Sequence, residues 1–95
     1  MIVRIALCHL APVAGDVAHN RALVEAAVAA AARDGARWIL TPEFCVTGFT
    51  FADRIGTDWI REQPDPWMAG FSRRVAELGV SVFLSHPERD ARTGA

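Results

Sequence analysis

The segment Leu40-Thr-Pro-Glu-Phe-Cys-Val-Thr-Gly-Phe49 concentrates reactive side chains more than any other stretch of this 95-residue chain. Glu43 can serve as a general base if its surroundings desolvate it, and Trp38, Phe44 and Phe49 lie close enough in sequence to shelter it. The plain alternative is a glutamate that caps backbone donors of its own loop. Cys45 carries a thiol two residues away, yet reads better as a small buried hydrophobe than as a nucleophile. Cys8 and His9 are neighbours on a strand, so their side chains leave opposite faces and make no Cys–His pair; both read as packing residues. All ten basic residues are arginine. Any step that needs a primary amine must therefore find its lysine elsewhere.

Other candidate chemistries find less support. Two cysteines and three histidines show neither Cys-x-x-Cys nor His-x-x-x-His spacing, which leaves no disulfide framework and no zinc site, and suits a reducing, cytoplasmic compartment. Asp58 and Glu62 would share a helical face, the pattern of a solvated surface rather than of metal ligands. Glu88, Arg89 and Asp90 read as a surface turn with local ion pairs. The seven glycines never fall into a phosphate-cradling pattern, so no cofactor is expected.

The elements that must carry Glu43 follow from periodicity and punctuation. Ile2 to Leu10 is a nearly continuous apolar run, suited to a strand covered on both faces and ended by Pro12 and Gly15. Asp16 caps an alanine-rich helix from Val17 to Arg33. Its inward stripe runs Val17, Asn20 or Arg21, Val24, Val28 and Ala31, and Gly35 stops it. Arg37 to Thr41 forms a second strand that Pro42 must terminate, placing Glu43 just beyond a parallel strand's carboxyl end, where ligand sites of open α/β sheets gather. Pro42 to Pro64 reads as a long loop with a single helical turn around Thr57 to Arg61, in which Thr47 and Gly48 shape the backbone behind Glu43. Phe49 lines a pocket or joins the core. Asp65 and Pro66 open a helix that runs to Leu78, with Trp67, Phe71, Val75 and Leu78 inward and Gly79 as its stop. Val80 to Ser85 is the third strand, and Pro87 to Gly94 is turn chemistry.

The order strand, helix, strand, helix, strand predicts an α/β layer with a parallel sheet. Helices mainly on one face would leave an open sheet edge and an uncovered sheet face. Residues 1–95 are accordingly expected to be an incomplete domain. A composition 52% hydrophobic and 22% charged, with net charge −1, describes globular material without a nucleic-acid footprint or a polybasic membrane surface. The apolar run Ala26 to Ala32 is too short to cross a bilayer. Neither a nucleic acid nor a membrane is expected as a partner.

Taken in order, Ile5-Ala-Leu-Cys-His-Leu-Ala-Pro-Val-Ala-Gly-Asp16, Asn20, Thr41-Pro-Glu-Phe-Cys-Val-Thr-Gly-Phe49 and His86-Pro-Glu-Arg-Asp90 resemble the N-terminal part of the nitrilase superfamily of carbon–nitrogen hydrolases. The resemblance implies the N-terminal part of an α-β-β-α sandwich and a Glu-Lys-Cys triad in which Glu43 matches the family glutamate. It implies a small amide, carbamoyl compound or nitrile as substrate, and a homo-oligomer when full length. The family's lysine and cysteine would both lie beyond Ala95, so the fragment alone is expected to be inactive. Two rivals remain from other classes: a non-catalytic α/β module that pairs through its exposed sheet edge, and a flavodoxin-like binder, which here lacks the phosphate cradle.

Overall fold

The structure is a computed structural model that describes residues 2–95. Its centre is the strand β2 (Trp38–Leu40), flanked on one side by β1 (Ile5–Leu7) and on the other by β3 (Ser81–Phe83). All pairings are parallel. Ala6 stands opposite Ile39, which stands opposite Val82. The strands are shorter than the apolar runs suggest because the ladder extends only as far as its central member. Pro42 has no N–H to give, and the last links are Cys8 N to Leu40 O at 2.9 Å and Thr41 N to Phe83 O at 3.1 Å.

Alternation along the strands separates two unlike faces. Ile39 is fully buried, with Ala6 and Val82 half-buried beside it. Against them pack α1 (Val17–Arg33), through Val24 and Val28, and α3 (Pro66–Leu78), through Phe71. Burying a side chain such as Ile39 stabilises the fold by about 1.5–3 kcal/mol. The other face carries Ile5, Leu7, Trp38 and Phe83, which are 52%, 67%, 46% and 54% exposed. The sheet is thus covered on one side only, and the expectation that the first strand is covered on both faces fails for these residues.

Helix boundaries follow local chemistry. Asp16 accepts from His19 N at 3.1 Å and Asp65 from Met68 N at 2.8 Å, each satisfying a first-turn donor that the helix cannot. Gly35 and Gly79 take the left-handed backbone that ends α1 and α3, at φ +93° and +69°. At those same ends Arg4 and Arg37 donate to the carbonyls of Asp34 and Gly79, at 3.3 and 3.4 Å. No helix among the described residues is long and apolar enough to cross a membrane.

The long connection after β2 differs from expectation. It contains the helix α2 (Phe51–Ile55), while Thr57 to Ile60 forms only a turn, closed by Ile60 N to Thr57 O at 3.1 Å. Phe51 meets Trp59 edge-on with ring centres 6.0 Å apart, and Gly56 at φ +67° ends the helix between them. Asp58 and Glu62 therefore share no helical face. The turn after β3 also departs from its ion-pair reading. Asp90 accepts from the Arg92 and Thr93 N–H groups at 2.7 and 3.0 Å, which hold its carboxyl below the usual range. Arg89 donates to three carbonyls: Ile60 at 3.3 Å, Gly94 at 3.0 Å, and Thr57. Its guanidinium ties the 57–61 turn to the end of the chain.

Candidate functional site

Glu43 begins a tight turn just after β2. The exit of the strand is pinned by Thr41, which donates to Phe83 O through both its N–H, at 3.1 Å, and its hydroxyl, at 2.9 Å. Pro42 then turns the chain off the sheet. The next residue after Glu43, Phe44, adopts φ +57°, a left-handed conformation in which a bulky side chain is strained. Its carbonyl accepts from Thr47 N at 3.2 Å and Gly48 N at 2.7 Å, closing the turn, and its ring lies 4.8 Å from that of Phe49.

The back of the turn is buried, with Cys45, Val46 and Thr47 almost wholly enclosed. It rests on the loop between β1 and α1. Gly15 N donates to Thr47 O at 2.8 Å. A Cβ on Gly48 would come within 2.6 Å of Ala14 Cα, so only glycine allows the two loops to approach this closely. Asn20, fully buried on the first turn of α1, bridges them: Nδ2 donates to Val13 O at 2.8 Å and to Val46 O at 2.9 Å, and Oδ1 accepts from Val13 N at 2.8 Å. Of the two residues the helical stripe left open, Asn20 is therefore the inward one. Arg21 lies half-buried instead, 3.1 Å from Asp65 and over the Trp67 ring at 4.9 Å from its centre.

The front of the turn is open. Glu43 is exposed, and the three aromatics expected to shelter it are exposed too: Trp38, Phe44 and Phe49, the last by 74%. The expectation of shelter is corrected for these residues. Strand parity sends Trp38 to the uncovered face, where it meets Phe83 edge-on at 6.3 Å, and Phe44 and Phe49 pack against each other with their rings tilted by 37°. Phe49 joins no core. A hollow of about 160 Å³ lies beside the turn, lined by Phe44, Thr47, Phe51, Ser85, His86 and Pro87. Glu43 is adjacent in sequence to that lining but outside it.

Neither thiol is prepared for attack. Burial pushes the Cys45 thiol up, and the Thr41 hydroxyl and the N–H groups of Cys45 and Val46 oppose this without reversing it. Cys8 is raised by burial and then by its proximity to Cys45. Both are free and remain protonated near neutral pH, and thus poor nucleophiles. Cys8 and His9 lie just past the end of β1, Cys8 half-buried and His9 exposed.

A second polar cluster, between α1 and α3, was not legible as a group in the sequence. Trp67 Nε1 donates to Glu25 at 2.7 Å, and its ring stacks on Phe71 and His86 at 4.9 and 5.9 Å. The His86 Nδ1 pairs with Pro87 O at 2.7 Å. Burial pushes the Asp65 carboxyl up, but the Met68 N–H, Gln63, Arg21 and His86 outweigh it and hold the group below its ordinary range. An open cleft of about 640 Å³ beside this cluster is lined by Arg21, Trp59, Arg61, Asp65 and Trp67, among others. The helical spacing of Arg21 and Glu25 was visible in the sequence, but their partners are 44 and 42 residues away.

Residues 4–94 match the model of the family described as Carbon-nitrogen hydrolase. No curated protein matches the chain.

Proposed function

Because the chain belongs to the carbon–nitrogen hydrolase family, we propose that it is the N-terminal part of an amidase- or nitrilase-type enzyme in which Glu43 is the general base. The supporting observation is positional: Glu43 projects from a braced turn at the carboxyl end of the central parallel strand, the end at which α/β sheets bind their ligands. The lysine and the nucleophilic cysteine come from chain outside these 95 residues. The 95 residues alone do not turn over substrate.

In this reading Glu43 takes the proton of the cysteine thiol as sulfur bonds to the substrate carbon, and the carbonyl electrons move onto oxygen, where the lysine ammonium steadies them. Collapse of that intermediate breaks the C–N bond, and Glu43 returns the proton to the leaving amine. A thioester remains. Glu43 then takes a proton from water, which attacks the thioester; the C–S bond breaks, sulfur regains its proton and the acid leaves. A nitrile would pass through the corresponding thioimidate. A small amide or carbamoyl compound is the favoured substrate class.

The same reading accounts for the open front of the turn. A general base works best away from bulk water, and in an α-β-β-α sandwich a second sheet covers the face that carries Ile5, Leu7, Trp38 and Phe83 here. We extend the proposal to a cytoplasmic, homo-oligomeric full-length enzyme. The decisive test is Glu43→Gln in the full-length protein. Glutamine keeps the size and shape of the side chain and removes only its charge and basicity, so the melting temperature should hold while kcat falls by at least about 10²-fold. Near-normal turnover overturns the proposal.

A further inference from the structure

We infer that Asn20 is a positioning residue for Glu43, an inference that rests on the reading above and extends it to a residue that touches no substrate. Among the described residues Asn20 and Thr47 are the buried polar ones, and both belong to the joint between the β1–α1 loop and the Glu43 turn. A buried carboxamide must satisfy its donors and acceptor or weaken the fold. Asn20 satisfies them on two different loops, with one Nδ2 hydrogen on Val13 O, the other on Val46 O, and Val13 N on Oδ1. The link to Val46 spans 26 residues and ends three residues past Glu43.

Two further features make this bond a determinant of where the carboxylate stands. The turn is only as wide as its closing bonds from Thr47 N and Gly48 N to Phe44 O, so moving Val46 moves Phe44 and, with it, Glu43. Phe44 is held at φ +57°, a conformation it abandons unless its surroundings impose it. The Asn20 bond to Val46 O, the Gly15 bond to Thr47 O and the close approach of Gly48 to Ala14 supply that imposition. Without the amide the strained turn relaxes toward ordinary backbone angles and carries Glu43 away from the thiol it must deprotonate. A displacement near 1 Å costs about 10²-fold in rate.

The experiment compares the full-length wild type with Asn20→Ser, Val24→Ala and Glu43→Gln, using p-nitrophenyl acetate, whose activated ester acylates a cysteine and releases a coloured phenolate. Asn20→Ser should lower kcat by about 10²-fold and leave KM within about twofold, the signature of a contact that matters in the transition state. Its Thr47, Gly48 and Gly15 amides should exchange with deuterium faster than in the wild type. Val24→Ala, which loosens the core on the next turn of α1, should lower the melting temperature and keep kcat. Should Asn20→Ser fail to fold, Gly48→Ala pushes apart the same two loops and should give the same kcat-selective loss. A folded Asn20→Ser enzyme with wild-type kcat, beside an inactive Glu43→Gln, overturns the positioning role alone. An equal loss of kcat in Val24→Ala overturns it too, by reducing the effect to general instability. Unchanged activity in Glu43→Gln removes the premise and overturns both readings.

Discussion

The two faces of the sheet are built from similar residues and live in opposite surroundings. Ile39 and Val82 lie under α1 and α3, while Leu7, Trp38 and Phe83, as apolar as they are, stand largely in water. The difference teaches that apolar character along these strands does not by itself decide burial: among the described residues the helices cover only one of the two faces. An apolar patch of this kind marks a surface meant to be covered. The front of the Glu43 turn shares that condition, and its back, sealed by Asn20 and Gly48, does not.

The contrast can be broken most forcefully at Ile39. Ile39→Ala should destabilise the fold by about 2–5 kcal/mol, the range for core truncations that leave a cavity, read as a drop in the urea midpoint. Next comes the entrance to α3 on the covered side. Asp65→Asn keeps a capping oxygen but weakens the ion pair with Arg21 and should cost up to about 1 kcal/mol at neutral pH. Its sign with pH is fixed: the Asp65 carboxyl is held below its ordinary value in the fold, so its contribution is present above the unfolded pKa and is lost as pH falls through the folded one. Melting curves of wild type and Asp65→Asn should therefore converge below about pH 4, and a gap that widens on acidification would contradict the assignment. The smallest effect belongs to the open face. Trp38→Ser with Phe83→Ser should change the stability of the 95-residue chain by no more than about 0.5 kcal/mol per site and reduce its binding of a hydrophobic dye. In the full-length protein the same pair should cost several times more; equal, small costs in both would refute a second sheet on that face.

Much of this was legible because it depends on near neighbours. Asp16, Asp65 with Pro66, Gly35 and Gly79 place the ends of α1 and α3 where local backbone chemistry requires them, and the Pro42 stop puts Glu43 at the strand exit. What escaped depends on distant partners. Asn20 and Arg21 sit side by side on the helix, and only the carbonyls of Val13 and Val46 decide between them. Arg89 suggested an ion pair, but backbone oxygens from Thr57, Ile60 and Gly94 take its donors, and backbone oxygens leave no trace in residue identity. The five residues of α2 are too few to show a period. The shelter of Glu43 failed for a reason that was available: once Ile39 faces inward, alternation turns Trp38 outward.

Because all three strands run in the same direction, their exits and the starts of α1 and α3 collect at one pole, and the glycine stops with their arginine partners collect at the other. The layout thus separates the loops that follow the strands from the contacts that stop the helices. On the proposed reading, loop changes at the pole that carries Glu43 act on chemistry, while changes at the opposite pole, where Arg4 and Arg37 close the helices, act on stability.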